Sequence, residues 1–207
     1  MQALSATPLR LSERRILILK WLLHGVSFSW VAYVFFTAVT DQVAGDPVDR
    51  LLHFTGMGAL NLLLLSLAIS PVAKRFRAAN LIKLRRPTGL WAFSYALLHL
   101  ATFVLFELQL EWALIGTEII ERPYITVGFS AFIILLLLAA TSITAVRRRM
   151  GRRWQLLHNW VYVSAPLVVI HFYWSVKSDV VEPVVYGLLV LVLLYVRRER
   201  LRKIFRG

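Results

Sequence analysis

Six apolar runs decide what this 207-residue chain can fold into. A helix that crosses a bilayer needs about 17 to 25 mostly apolar residues. The runs are Ile16–Val39, Gly56–Ala73, Thr88–Phe106, Tyr124–Val146, Trp154–Val176 and Val181–Val196, the last being the shortest. In hydrocarbon every backbone N–H and C=O must find a partner inside the protein, so runs of this length fold as helices. The fold expected is all-α: a polytopic membrane protein, one six-helix transmembrane bundle over residues 1–207 with short loops. Pro71, after Ser70, is expected to end the second helix, and His53 to open it near the outer surface. Met1–Ser12 is polar and no small-residue cleavage site follows suitably, so the first helix is expected to remain as an anchor.

Charge gives the bundle a direction. Of 24 Lys and Arg, 21 lie in four segments: Arg10–Lys20, Lys74–Arg86, Arg147–Arg153 and Arg197–Arg206. The alternate loops hold only Arg50, Arg122 and Lys177, with nine of the 11 acids. Basic loops stay cytoplasmic, so both termini are expected inside. The net charge of +13 therefore reads as membrane topology and contact with lipid headgroups, and no nucleic-acid partner is expected. The chain has no cysteine, which excludes thiolate iron–sulfur sites, CxxCH haem attachment and disulfides. It has no GxGxxG or P-loop pattern and so no nucleotide-binding unit of its own.

Chemistry within the spans comes from histidine. The five are His24, His53, His99, His158 and His171, and the last three fall in stretches that should sit in lipid. An ionisable ring there is costly unless its lone pair is used, and neutral imidazole is a common axial ligand of haem iron. His158 and His171 are thirteen residues apart, about 20 Å along a helix, with their rings roughly 140° out of line on ideal geometry. A kink at Pro166 could bring both inward. Measured inward from the basic loops, His99 lies roughly 8 Å from the level of His171 and roughly 12 Å from that of His158. His99 pairs better with His171, leaving His158 at an inner site with no assigned partner. Two imidazoles on one iron fill both axial positions, so such a haem passes electrons and has no open site for oxygen chemistry.

Around this core the remaining assignments are plainer. His53 and His24 are further candidate ligands, with hydrogen bonding in the bundle as the alternative. Arg86, Arg152 and Arg153 are candidate partners for haem propionates inside, and Arg50, Arg122 or Lys177 outside, though each also serves as a topology determinant. Trp91, Trp154, Trp160 and Trp174 read as interfacial belt residues, Asn61 as an interhelical hydrogen-bonding residue, and the fourth span as a scaffold wall. The outer loop from Glu107 to Pro123 carries enough apolar positions for a short interfacial helix. A histidine-dependent proton or metal transporter is the rival reading. It calls for discontinuous helices or an interior acid, and no Asp or Glu lies deep inside a span, Glu182 standing at the very start of the last.

Five stretches, GDPVDRLLHFTG, RRPTGLWAFSYALLHL, ERPYITVGF, GRRWQLLHNWVYV and HFYWSVK, cover about residues 45 to 180. On these the sequence resembles the MsrQ (YedZ) family, haem-binding membrane subunits of the periplasmic protein-methionine-sulfoxide reductase system, within the ferric-reductase-like transmembrane domains. The resemblance implies one or two b-type haems in a multi-pass protein of the bacterial inner membrane, with ligand positions on His99, His158 and His171. It further implies FMN, a cytosolic flavin reductase or the quinone pool as electron donor, and the periplasmic molybdopterin enzyme MsrP as acceptor. The reductase active site is then expected on that partner. One departure stands out. Wider ferric-reductase relatives place two histidines on each of two helices, whereas here the third span has only His99. Arg85 and Arg86 stand fourteen and thirteen residues before it.

Overall fold

The computed structural model describes residues 11–40, 42, 45–176 and 178–205, without the side chains of 200 and 203–205. Among these residues there is no strand. The helices are α1 (Glu13–Val39), α2 (Pro47–Arg75), α3 (Arg85–Thr102), α4 (Trp112–Glu121) and α5 (Pro123–Ala140), then α6 (Thr144–Met150), α7 (Arg152–His158), α8 (Val161–Ser175), α9 (Val181–Val196) and α10 (Arg198–Phe205). A 3₁₀ segment, Ala79–Leu84, leads into α3, and a π turn, Phe103–Glu107, follows it. Four stretches are long and apolar enough to cross a membrane: α1, α2, Ala79–Glu107 and α5. α9 is a shorter apolar helix.

Three spans differ from the sequence expectation. The second helix begins earlier and ends later, running unbroken through Pro71 to Arg75. Its start is fixed by Asp46, whose Oδ1 accepts the Val48 N–H at 2.8 Å, with Pro47 in the first turn where no N–H is needed. His53 therefore sits in the second turn and does not open the helix. Proline does not end α2 because the carbonyl it strips of a donor, that of Leu67 four residues back, accepts from Arg197 Nη2 instead. The fourth span stops at Ala140, where Thr141 Oγ1 caps back to the Leu137 carbonyl at 2.6 Å. The fifth is split, with the break at Asn159–Trp160, while Pro166 lies inside an uninterrupted α8. The phase of His158 is therefore independent of α8.

The bundle is organised as pairs. Packing is most extensive between α2 and α3, and next between α5 and α8. Leu60, Leu63 and Leu67 of α2 meet Ala92, Leu135, Tyr162, Ala165 and Val190 in one core. On α9, Tyr186 Oη donates to Asn61 Oδ1 at 2.8 Å, the interhelical bond expected of Asn61. α1 is held more loosely. Trp91 Nε1 donates to His24 Nδ1 at 2.8 Å and Tyr95 Oη to the Ser27 carbonyl at 2.9 Å, while Trp21, Phe28 and Trp30 are exposed, as on a lipid-facing helix. At the basic end Gly151 joins α6 to α7 at φ +54° and ψ −125°, a conformation that favours glycine. The short helix expected in the outer loop is α4.

Candidate functional site

Two helix pairs bring two histidines together. His99 leaves α3 toward α2, where its Nδ1 lies 2.9 Å from the Leu52 carbonyl oxygen. His171 leaves α8 toward α5, with its Nδ1 2.7 Å from the Tyr124 carbonyl oxygen. The ring centres are 6.1 Å apart, with the planes at 83°. A carbonyl only accepts, so in both rings Nδ1 carries the hydrogen and Nε2 keeps its lone pair. An imidazole nitrogen binds a metal at about 2 Å. Adding about 1 Å from nitrogen to ring centre, two imidazoles on opposite sides of one iron have centres roughly 6 Å apart.

Each ring reaches its carbonyl because the residue four positions further on is glycine. A Cβ on Gly56, four after Leu52, would sit 3.2 Å from His99 Nδ1 and Cε1. A Cβ on Gly128, four after Tyr124, would sit 2.5 Å from His171 Nδ1. Residues four apart share a helix face, so the missing side chain clears a path to the carbonyl one turn before it. Thr55 Oγ1 also approaches His99 Nδ1, at 3.4 Å. Thr102, one turn beyond His99, is 1% exposed and its hydroxyl has no hydrogen-bond partner. The α5 helix, expected to be only a wall, thus supplies both the cradle for His171 and a contact to His158.

His158 sits at the basic end in a different setting. Its Nε2 is 3.1 Å from Thr141 Oγ1, and its ring stacks on Trp154, centres 3.9 Å apart and 27° between planes. Trp154, read from sequence as a belt residue, instead donates from Nε1 to the Thr141 carbonyl at 2.9 Å and lies 5.4 Å under the Arg147 guanidinium. His158, Trp154 and Arg147 line a cavity of about 280 Å³ together with Arg85, Arg86 and Tyr162. Among the described residues no carboxylate lines it. Of the three inner arginines named from the sequence, Arg86 lines the cavity beside His158, while Arg152 and Arg153 are exposed and do not.

The remaining candidates are not drawn into either site. His24 is occupied by Trp91. His53 is exposed, its ring 6.4 Å from that of Phe172. Arg122 is engaged, with Nε 2.8 Å from Glu118 Oε2 and a 3.3 Å bond from Nη1 to Tyr124 Oη. That hydroxyl, ahead of the nearby carboxylates, holds the Arg122 pKa above the ordinary arginine value. Arg50 is exposed in the first turn of α2, and Lys177 lies outside the described residues. No group of three or more acidic, histidine or cysteine side chains suited to a bare metal ion occurs among the described residues.

Comparison of the sequence with known proteins shows its family. Residues 54–169 match the family described as ferric reductase like transmembrane component. Over 199 residues the chain is 43% identical to the protein-methionine-sulfoxide reductase heme-binding subunit MsrQ of Klebsiella pneumoniae (strain 342), covering 96% of this chain and 100% of that protein. The MsrQ of Cronobacter sakazakii (strain ATCC BAA-894) is 42% identical, with the same coverage. That of Salmonella arizonae is 42% identical over 196 residues, 94% of this chain and 98% of its own. The chain belongs to the MsrQ family. His99 and His158 fall within the ferric-reductase-like match and His171 two residues beyond it, whereas His24 and His53 precede it. Family membership and the long apolar helices make this MsrQ homologue a multi-pass membrane protein.

Proposed function

We propose that this MsrQ family member is the membrane electron-transfer subunit of a methionine-sulfoxide reductase system in the bacterial inner membrane. In this reading six spans place both termini in the cytoplasm. Electrons enter at the basic end from a cytosolic flavin reductase or the quinone pool, and leave at the acidic end to a periplasmic molybdopterin partner, MsrP. The observation that carries the proposal is the pair of imidazoles, ring centres 6.1 Å apart, each with Nδ1 on a backbone carbonyl.

The residues present fit a b-type haem. His99 and His171 would hold it through Nε2, and when bound it supplies one-electron exchange with no open coordination position. The Leu52 and Tyr124 carbonyls fix the tautomer of each ring and make Nε2 a better donor to a metal. Thr55 and the two glycines fix ring position, and the surrounding helices exclude water. At the inner site His158 has Nδ1 without a partner among the described residues, beside the cationic wall of Arg85, Arg86 and Arg147. This suits a second redox group carrying negative charge, haem propionates or the phosphate of FMN.

Haem and flavin content of the full chain in detergent, for wild type and the five His→Ala variants, tests the reading. His99→Ala and His171→Ala are each expected to remove the same reduced-haem bands, His158→Ala a separate cofactor signal, and His24→Ala neither. A wild-type protein that binds no haem ends the proposal.

A further inference from the structure

At the inner end of the bundle Arg197, the residue after α9, is 7% exposed. Its Nη2 donates to the Leu67 carbonyl that Pro71 leaves free, and its Nη1 to Tyr162 Oη at 2.7 Å. Nε has no partner, and no carboxylate pairs with the guanidinium among the described residues. A buried cation without a counterion is costly. Neutral donors could meet both hydrogen-bonding needs, so the charge itself requires an explanation.

Tyr162 supplies one. It is 7% exposed, lies four residues after His158, and lines the inner cavity with His158, Arg85, Arg86 and Arg147. Because its oxygen accepts from Arg197, its own O–H remains to be donated, and it has no acceptor among the described residues. A phenol polarised by a cation is a strong donor toward negative charge. Among the described residues, the cavity thus has a cation without a carboxylate partner directly behind one wall and no carboxylate on any.

We propose that Arg197, acting through Tyr162, is a positioning residue that raises the reduction potential of the redox group held beside His158. The inference rests on the reading that this inner site holds such a group. Each turnover takes one electron from the cytosolic donor, a reduced flavin or a quinol, which is oxidised. The inner group gains that electron and one unit of negative charge, then returns to its starting state as the electron passes outward. The cation and the phenolic O–H favour the state with the extra charge. At an effective dielectric near 20, one charge roughly 10 Å away changes such an equilibrium by on the order of tenfold.

Potentiometric titration of the full chain in detergent, followed by absorbance, tests this. His158→Ala and His99→Ala first assign the inner and outer transitions. Arg197→Gln is expected to keep the cofactor content but weaken reduction of the inner transition about tenfold, near 59 mV lower for one electron, while the outer transition moves far less. Arg197→Lys should restore most of the loss. Tyr162→Phe, which leaves the Leu67 contact intact, should shift the inner transition the same way by a smaller amount, and it decides the matter if Arg197→Gln does not fold. Equal values for the Gln, Lys and wild-type proteins, or equal movement of both transitions, would make Arg197 a purely structural cap on α2. If His158→Ala removes no transition at all, the inner-site reading itself fails and the inference falls with it.

Discussion

The two ends of the bundle use histidine in opposite ways. At the acidic end, the outer one in the proposed topology, His99 and His171 are each held through Nδ1 by a carbonyl and a glycine on the neighbouring helix, which leaves Nε2 of each ring with its lone pair. At the inner end, His158 is alone, covered by Trp154, with Nε2 on Thr141 and arginines around it. The outer arrangement is organised by contacts within the protein: two rings with set tautomer and spacing. The inner one is organised by charge, and its other side is Arg86, thirteen residues before His99 as His158 is before His171. At one end both helix pairs supply histidine, whereas at the other the α5–α8 side supplies His158 and α3 supplies arginine.

If that contrast is right, glycine substitutions should damage one end only. Gly128→Ala is the most severe. Its methyl group would sit 2.5 Å from His171 Nδ1, so the ring must leave and break its bond to the Tyr124 carbonyl. The expected result is loss of the outer haem signal nearly as complete as in His171→Ala, with the His158-dependent signal retained. Equal loss of both signals would show that the two ends are not separately built. Gly56→Ala should be milder. Its methyl group would lie 3.2 Å from His99 Nδ1 and Cε1, a crowding that a few tenths of an ångström of ring movement relieves. Overpacking of this kind costs about 1–3 kcal/mol. The expected outcome is a protein that still holds outer haem, with altered low-spin electron paramagnetic resonance as the angle between the two rings changes. A Gly56→Ala protein emptier than Gly128→Ala would reverse the ranking that the distances set.

Much of the outer centre was legible in the sequence because helix rise converts residue number into depth. Counting from the basic loops was enough to pair His99 with His171. The fold class was legible for the same reason: apolar run length and loop charge are strong signals in a membrane protein. What carries orientation was harder to see. Leu52 with Gly56, and Tyr124 with Gly128, contribute a carbonyl and an absence, neither of which marks a sequence as functional. The signal available was a glycine near the outer end of each helix that faces a histidine helix. Trp154 looked like a belt residue because its position in the sequence gives depth but not direction. Pro71 looked like a helix end because the donor that rescues its lost hydrogen bond, Arg197, is 130 residues from Leu67.

The smallest effect tests whether the helix pairs are independent. Tyr186 and Asn61 join α9 to α2 through one hydrogen bond of 2.8 Å, and Tyr186 also packs edge-on against Phe172, the neighbour of His171. Tyr186→Phe removes the bond but keeps the ring. Interhelical hydrogen bonds in membrane proteins average about 0.6 kcal/mol, so a small loss of stability in a detergent unfolding titration is expected. The outer haem spectrum and the His158-dependent signal should both be unchanged, because neither cradle depends on α9: His99 is held by α2 and His171 by α5. A Tyr186→Phe protein with a perturbed outer haem would mean that α9 transmits strain through Phe172 to His171. The unit that sets the outer centre would then include α9, with its cost spread over five helices instead of the four of the two pairs.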